Sequence, residues 1–143
     1  MNCQSVVTRC GCLCICEEDG YVVKIEFNRT CDGKIDKMIL EQLLDYLRGV
    51  RKDLTFQVKV SGTEFQKRVW YALRNIPYGH TITYKDLAIK LGTSPRAIGQ
   101  ALKANPLPVY FPCHRVVGKN SLGGFTGGLD WKKMLLGTEG CSL

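Results

Sequence analysis

"TYKDLAIKLGTSPRAIGQALKAN", residues 83–105, decides how the second half of this chain folds. It reads as a short helix over about Tyr84 to Leu91, a break at Gly92-Thr93, and a second helix opening at Ser94-Pro95. A serine hydroxyl at the N-cap accepts from a backbone N–H that the first turn leaves unpaired, and proline is tolerated at the first helical position, where its missing N–H costs nothing. Two short helices joined by a glycine-containing turn, the second carrying Arg96, Gln100 and Lys103, fit a helix-turn-helix. Any pair of antiparallel helices can imitate that motif. The small residues Ala97, Gly99 and Ala101 keep the second helix slim enough to approach another surface closely; the alternative is ordinary packing against the core.

Upstream, Thr63 caps a helix through "EFQKRVWYALRNI", with Phe65, Val69, Trp70, Leu73 and Ile76 as its apolar stripe and Pro77 with Gly79 as its end. The first third reads as β and then α. "VVTRCGCLCIC" and "YVVKIEF" are β-rich runs separated by a hairpin signal at Asp19-Gly20. "KIDKMILEQLLDYLRG" then places Ile35, Met38, Ile39, Leu43, Leu44 and Leu47 at helical spacing, with Asp36 near the start and Gly49 as the stop. The character changes after "FQVKVSG". The expectation is two subdomains in one compact unit, an α/β support subdomain at 1–62 and a mainly helical, DNA-binding one at 63–143.

Charge divides the chain at the same place. Residues 1–62 carry nine Lys/Arg and nine Asp/Glu, whereas residues 63–143 carry eleven Lys/Arg against Glu64, Asp86, Asp130 and Glu139, so the whole net charge of +7 sits in the second part. Lysines and arginines that displace counterions from phosphates drive non-specific nucleic-acid binding, so this asymmetry suggests a polyanionic partner; plain solubility is the alternative. No apolar run approaches the roughly 20 residues that span a bilayer, and the N-terminus lacks a basic segment followed by a long apolar one. The protein is expected to be intracellular, without a membrane partner.

Eight cysteines raise the question of a disulfide scaffold, a reading that suits short secreted chains. Cys10, Cys12, Cys14 and Cys16 alternate along "RCGCLCIC", and in a strand all four point to one face. Buried thiols in a packed strand are the simplest account. A soft-metal site using some of them with Cys3 or Cys31 is an alternative, although C-x-C lacks the usual C-x2-C spacing. Disulfides are the third reading.

Among the eight, only Cys113 is followed by a histidine and an arginine, in "PVYFPCHRVVGK" (108–119). A neighbouring base or cation raises the reactive thiolate fraction, so His114 is a candidate base and Arg115 a source of positive potential. Neighbours on a regular strand point to opposite faces; contact between Cys113 and His114 therefore needs an irregular backbone or a bridging water. Pro112, with a fixed φ and no N–H, supplies a reason for irregularity.

The longer string "NPLPVYFPCHRVVGK", preceded by the helix-turn-helix and followed by "GGFTGGLDWKKMLL", closely resembles the O6-alkylguanine-DNA alkyltransferases, the methylated-DNA protein-cysteine methyltransferases. The similarity runs through residues 63–139. The resemblance implies an α/β (α+β) fold with a ribonuclease H-like N-terminal layer and a helical C-terminal part. It implies that Cys113 accepts the alkyl group irreversibly, that His114 acts on the thiol through a water, and that Glu139 orients His114. It further implies that Asn105, Pro112 and Arg115 support the site, that no metal or organic cofactor is used, and that one molecule is consumed per lesion. Arg96 matches the finger that replaces an extruded nucleotide, and Tyr84 the tyrosine that pushes on its 3′ phosphate. Ala97, Gly99 and Gln100 belong to the helix that enters the minor groove of double-stranded DNA, and Val116, Phe125 and Thr126 to the substrate pocket. The implied setting is a monomer in the cytoplasm, or in the nucleus of a eukaryote. One position departs from the family pattern: Phe125 stands where a tyrosine is common, so a hydroxyl that helps the leaving guanine is missing.

Three rivals follow from the same residues. A module that flags alkylated bases would replace the acceptor cysteine, which is retained. A cysteine hydrolase leaves the helix pair and the one-sided charge unexplained, and a transcription regulator would need a dimerisation segment that the sequence does not offer. The loop "SLGGFTGG" lacks the Gly-Lys-Ser/Thr ending of a P-loop. His80 is expected to make a structural hydrogen bond between helix and strand.

Overall fold

The β-rich start of the chain forms an antiparallel meander of β1 (Asn2–Thr8), β2 (Gly11–Glu18) and β3 (Tyr21–Phe27). "VVTRCGCLCIC", expected as one run, turns at Arg9-Cys10, so Cys10 lies outside the strand that carries Cys12, Cys14 and Cys16. The β2 to β3 turn is Asp19-Gly20, where φ is positive at both residues (53° and 83°), as a two-residue type I′ hairpin requires. Strand β2 is buried on both faces: Leu13 and Ile15 are fully covered, and Cys14 and Cys16 nearly so.

Two pairs of cysteines are not packed thiols, which corrects the simplest sequence reading. Cys3–Cys16 and Cys14–Cys31 are disulfides. Cys3 and Cys16 are direct partners in the β1–β2 register. Cys31 is brought in by a segment with no regular structure that Ser5 anchors: the Ser5 hydroxyl accepts from the Cys31 N–H at 2.6 Å and donates to the Cys31 carbonyl at 2.9 Å. Helix α1 (Lys37–Leu47) follows, its first turn capped by Asp36, whose carboxylate accepts from Met38 N–H and Ile39 N–H. Its buried residues are Ile39, Leu43 and Tyr46. Met38, placed in the apolar stripe by spacing, is 77% exposed, and Tyr46 takes a core position instead.

The computed structural model describes residues 1–141, in two compact units, Met1–Val60 and the chain from Ser61 on. The second unit is built from α2 (Glu64–Leu73), α3 (Tyr84–Leu91), α4 (Pro95–Lys103) and α5 (Leu129–Thr138), with a small parallel pair β4 (Ile82–Thr83) and β5 (Val116–Val117). Helix α2 opens on a capping box: Thr63 Oγ1 accepts from Gln66 N–H, and Gln66 Oε1 accepts from Thr63 N–H, both at 3.0 Å. It ends at Leu73, and Ile76 reaches the core from the following turn. Trp70 ties α2 to α4, its buried indole N–H donating to Ala101 O at 2.8 Å.

Over 83–105 the chain makes two helices joined by three residues. Gly92, with φ 67°, ends α3 in the left-handed conformation that glycine adopts without steric cost. Ser94 Oγ then accepts from Ala97 N–H at 3.1 Å, and Pro95 starts α4. The buried face of α4 is Ile98, Ala101 and Leu102.

Candidate active site

Proline makes the backbone of the reactive string irregular. Pro112 has φ −74° and ψ 68°, and Cys113 N–H bonds the Phe111 carbonyl at 2.6 Å, an inverse γ-turn. Cys113–Arg115 continue as one 3-10 turn, so Cys113 and His114 are not opposite-facing strand neighbours. Asn105 braces the approach, its Nδ2 donating to Phe111 O at 3.0 Å while its Oδ1 accepts from Leu107 N–H at 2.9 Å. Between them, buried Val109 has φ 78°, a left-handed conformation that costs on the order of 1–3 kcal/mol for a non-glycine residue.

Behind the thiol lies a buried ionic cluster. His114 is fully buried, and its Nε2 lies 2.7 Å from Glu139 Oε2. Glu139, the C-cap residue of α5, also accepts from Arg115 Nε at 2.9 Å, Arg115 Nη2 at 3.0 Å and Gly79 N–H at 3.1 Å. Arg115 Nη1 also donates to Ile76 O, at 2.7 Å. With Nε2–H donating to the carboxylate, the lone pair of a neutral imidazole is at Nδ1, a buried atom without a protein hydrogen-bond partner among the described residues. Burial lowers the His114 pKa below its usual 6.5, against the opposing pull of Glu139. The ring is thus kept neutral, with its free lone pair at Nδ1.

Two sequence expectations about the thiol are corrected. Arg115 faces Glu139, and the cation that acts on Cys113 is Lys132. The resting thiol is also not activated: Cys113 is 5% exposed, and burial pushes its pKa up to about 11 against the lowering effects of Asn105 and Lys132. At pH 7 the thiolate fraction is therefore only about one in ten thousand.

Lys132 was not among the sequence candidates. Its side chain is fully buried on α5, and Nζ donates to Val116 O at 2.7 Å and to Gly124 O at 3.0 Å. Burial lowers its pKa to about 8. A signal was present in "WKKMLL": Lys132, Leu136 and Glu139 fall at i, i+4 and i+7, one face of the helix, and all three are buried.

Cys113 lines a cleft of about 1130 Å³ together with Tyr84, Arg96, Gly99, Gln100, Phe125 and Thr126. Tyr84 opens α3 and lies across the glycine-rich loop, its hydroxyl 3.5 Å from Gly124 O. Arg96 and Gln100 are exposed on α4. A Cβ built on Gly99 meets nothing within 4 Å, so packing inside the protein does not require glycine there. One expected pocket residue does not line the cleft: Val116 is fully buried in β5 and takes part through its carbonyl. Ala97, expected on the DNA-facing helix, is part-exposed on α4. His80 is exposed, and its ring Nδ1 lies 3.2 Å from Tyr78 O within the same turn, not on a strand.

Residues 64–141 match the family described as "6-O-methylguanine DNA methyltransferase, DNA binding domain". The methylated-DNA–protein-cysteine methyltransferase of Archaeoglobus fulgidus is 44% identical over 130 residues, which cover 86% of this chain and 88% of that protein. The corresponding Methanocaldococcus jannaschii protein is 53% identical over 90 residues, covering 63% of this chain but only 53% of that protein. In three dimensions the crystal structure of Mycobacterium tuberculosis OGT in complex with DNA superposes with a TM-score of 0.85 at 28% identity, covering 98% of this chain and 93% of that one.

Proposed function

Because the chain belongs to the O6-methylguanine-DNA methyltransferase family, we propose that it repairs DNA by moving the alkyl group of an O6-alkylguanine onto Cys113, once per molecule. The observation that carries this is the placing of Cys113 on a cleft walled by α4 and the glycine-rich loop, with the His114–Glu139 pair behind it.

The reaction is an SN2 displacement. The sulfur of Cys113 attacks the carbon on O6, the C–O bond breaks, its electrons pass into the guanine, and N1 takes up a proton equivalent to the one the thiol gives up, returned by way of His114 and water. A thiol with a pKa of about 11 needs a base. His114 Nδ1 takes that proton through a bridging water, and the imidazolium is held by Glu139, the nucleophile, base and orienter arrangement of a catalytic triad. Arg115 and Gly79 fix the carboxylate. Lys132 stabilises the developing thiolate and pins the loop carrying Phe125 and Thr126. No step returns the thiol, so the protein is consumed without a cofactor.

A base within a duplex hides its O6 substituent, and extrusion costs a few kcal/mol. Tyr84 presses on the phosphate, Arg96 fills the vacated stack, and the slim face of α4 at Gly99 and Gln100 enters the minor groove. That groove carries little sequence information, which suits a protein that must meet lesions in any sequence. It acts as a monomer where genomic DNA is kept, in the cytoplasm or a eukaryotic nucleus. The test is a single-turnover assay on an oligonucleotide bearing O6-methylguanine. The native chain removes the methyl, and Cys113→Ser does not while keeping its affinity. DNA binding with no methyl loss from the native chain would instead make it a recognition module.

A further inference from the structure

The first unit holds four sulfur atoms in one place, drawn from three separate segments. Cys3 comes from β1, Cys14 and Cys16 from alternate positions on one face of β2, and Cys31 from the connection between β3 and α1. The Sγ atoms of Cys3, Cys14 and Cys16 lie within 4.8 Å of one another, and those of Cys14 and Cys16, which belong to different disulfides, are 3.9 Å apart. In a tetrahedral zinc site with Zn–S bonds near 2.3 Å, neighbouring sulfurs are about 3.8 Å apart.

This placing does not depend on the covalent links. The β1–β2 register sets Cys3 opposite Cys16. The segment bearing Cys31 is held beside β1 by Ser5, by the Ile35 N–H bond to Gln4 Oε1 at 3.1 Å, and by an approach at Gly33 so close that a Cβ there would meet Cys3 O at 2.6 Å. Ser5 Oγ also lies 3.6 Å from Cys31 Sγ, the kind of outer hydrogen bond that orients a thiolate ligand.

We propose that, with both disulfides reduced, Cys3, Cys14, Cys16 and Cys31 bind one zinc ion as a structural four-thiolate site. Each disulfide takes two electrons from an added phosphine and two protons from a water whose oxygen leaves as the phosphine oxide, and Zn2+ then displaces the four thiol protons, leaving a site of net charge −2. A small three-stranded sheet with one helix has a limited core, and a metal joining three of its segments supplies folding energy. The DNA-repair role, on which this point alone rests, places the chain among reduced thiols, where such cysteines favour metal over disulfide.

The test uses the full-length chain, reduced by phosphine under anaerobic conditions, incubated with zinc chloride, freed of excess metal and assayed by mass spectrometry. The expected result is one zinc per chain, falling to background in Cys14→Ser/Cys16→Ser and unchanged in Cys10→Ser/Cys12→Ser. Should the first variant fail to fold, cobalt(II) added to the phosphine-reduced native chain decides: a strong thiolate charge-transfer band with tetrahedral d–d absorption supports the site, and a weak octahedral spectrum overturns it. Background zinc in the reduced native chain, or full zinc in folded Cys14→Ser/Cys16→Ser, would also overturn it. Neither readout involves alkyl transfer, so the metal site and the repair reaction stand or fall separately.

Discussion

Cys113 and His114 pair a reluctant acid with a base that burial keeps neutral. Ionising a thiol of pKa about 11 at pH 7 costs about 5 kcal/mol, so the base is needed. Removing it as His114→Gln should slow single-turnover transfer by about 10²- to 10⁴-fold, the usual contribution of a general base. The same histidine sets a pH dependence of stability. Its folded pKa lies below the unfolded 6.5, so as pH falls through 6.5 the unfolded chain takes up a proton that the native one refuses. This contribution is complete above pH 6.5 and is lost below it. Urea unfolding at pH 7 and pH 5 should therefore show a larger loss for the native chain than for His114→Gln, and equal losses would contradict the neutral buried ring. At Phe125, on the cleft wall, restoring a hydroxyl as Phe125→Tyr should speed transfer several-fold; an unchanged rate would show that the hydroxyl has no part here.

Two elements carry the site: α4 lines the cleft, and α5 with its C-cap supplies Lys132 and Glu139. Since a Cβ at Gly99 meets nothing, Gly99→Ala should raise stability by about 0.5–1 kcal/mol through helix propensity, whereas Gly99→Leu should weaken DNA affinity without unfolding the protein. Lys132 joins α5 to β5 and the glycine-rich loop, so Lys132→Met, which removes a donor from the Val116 and Gly124 carbonyls, should cost about 1–3 kcal/mol in urea unfolding and slow transfer. At this scale much was legible in advance. Thr63, Ser94-Pro95 and Gly92 are local signals whose hydrogen bonds or φ angles are satisfied within a few residues, and the structure places α2, α3 and α4 on them. The site was legible where short motifs carry it. What escaped depends on contacts distant in sequence: Arg115 turns to Glu139, Lys132 reaches Val116 and Gly124, and Cys31 is drawn to β1 by Ser5. Met38 was misread because helical spacing alone does not say which side of α1 is covered.

For the whole molecule, if the chain binds DNA as proposed, the charge excess beyond Val60 should make that affinity electrostatic in large part. Its logarithm should fall linearly with that of salt concentration, and each lysine or arginine contacting a phosphate should lower the slope by about 0.9 when neutralised. If Arg96 fills the vacated stack as proposed, Arg96→Ala should slow transfer on duplex DNA more than on a single strand, where no partner base must be broken from its pair. Among the described residues no helix is long and apolar enough to cross a membrane. The most direct check of the central claim is peptide mass spectrometry after incubation with one equivalent of duplex bearing O6-methylguanine. One methyl on the peptide containing Cys113, in proportion to the lesion removed, is the predicted result; a methyl on another cysteine, or lesion loss with Cys113 unmodified, would contradict it.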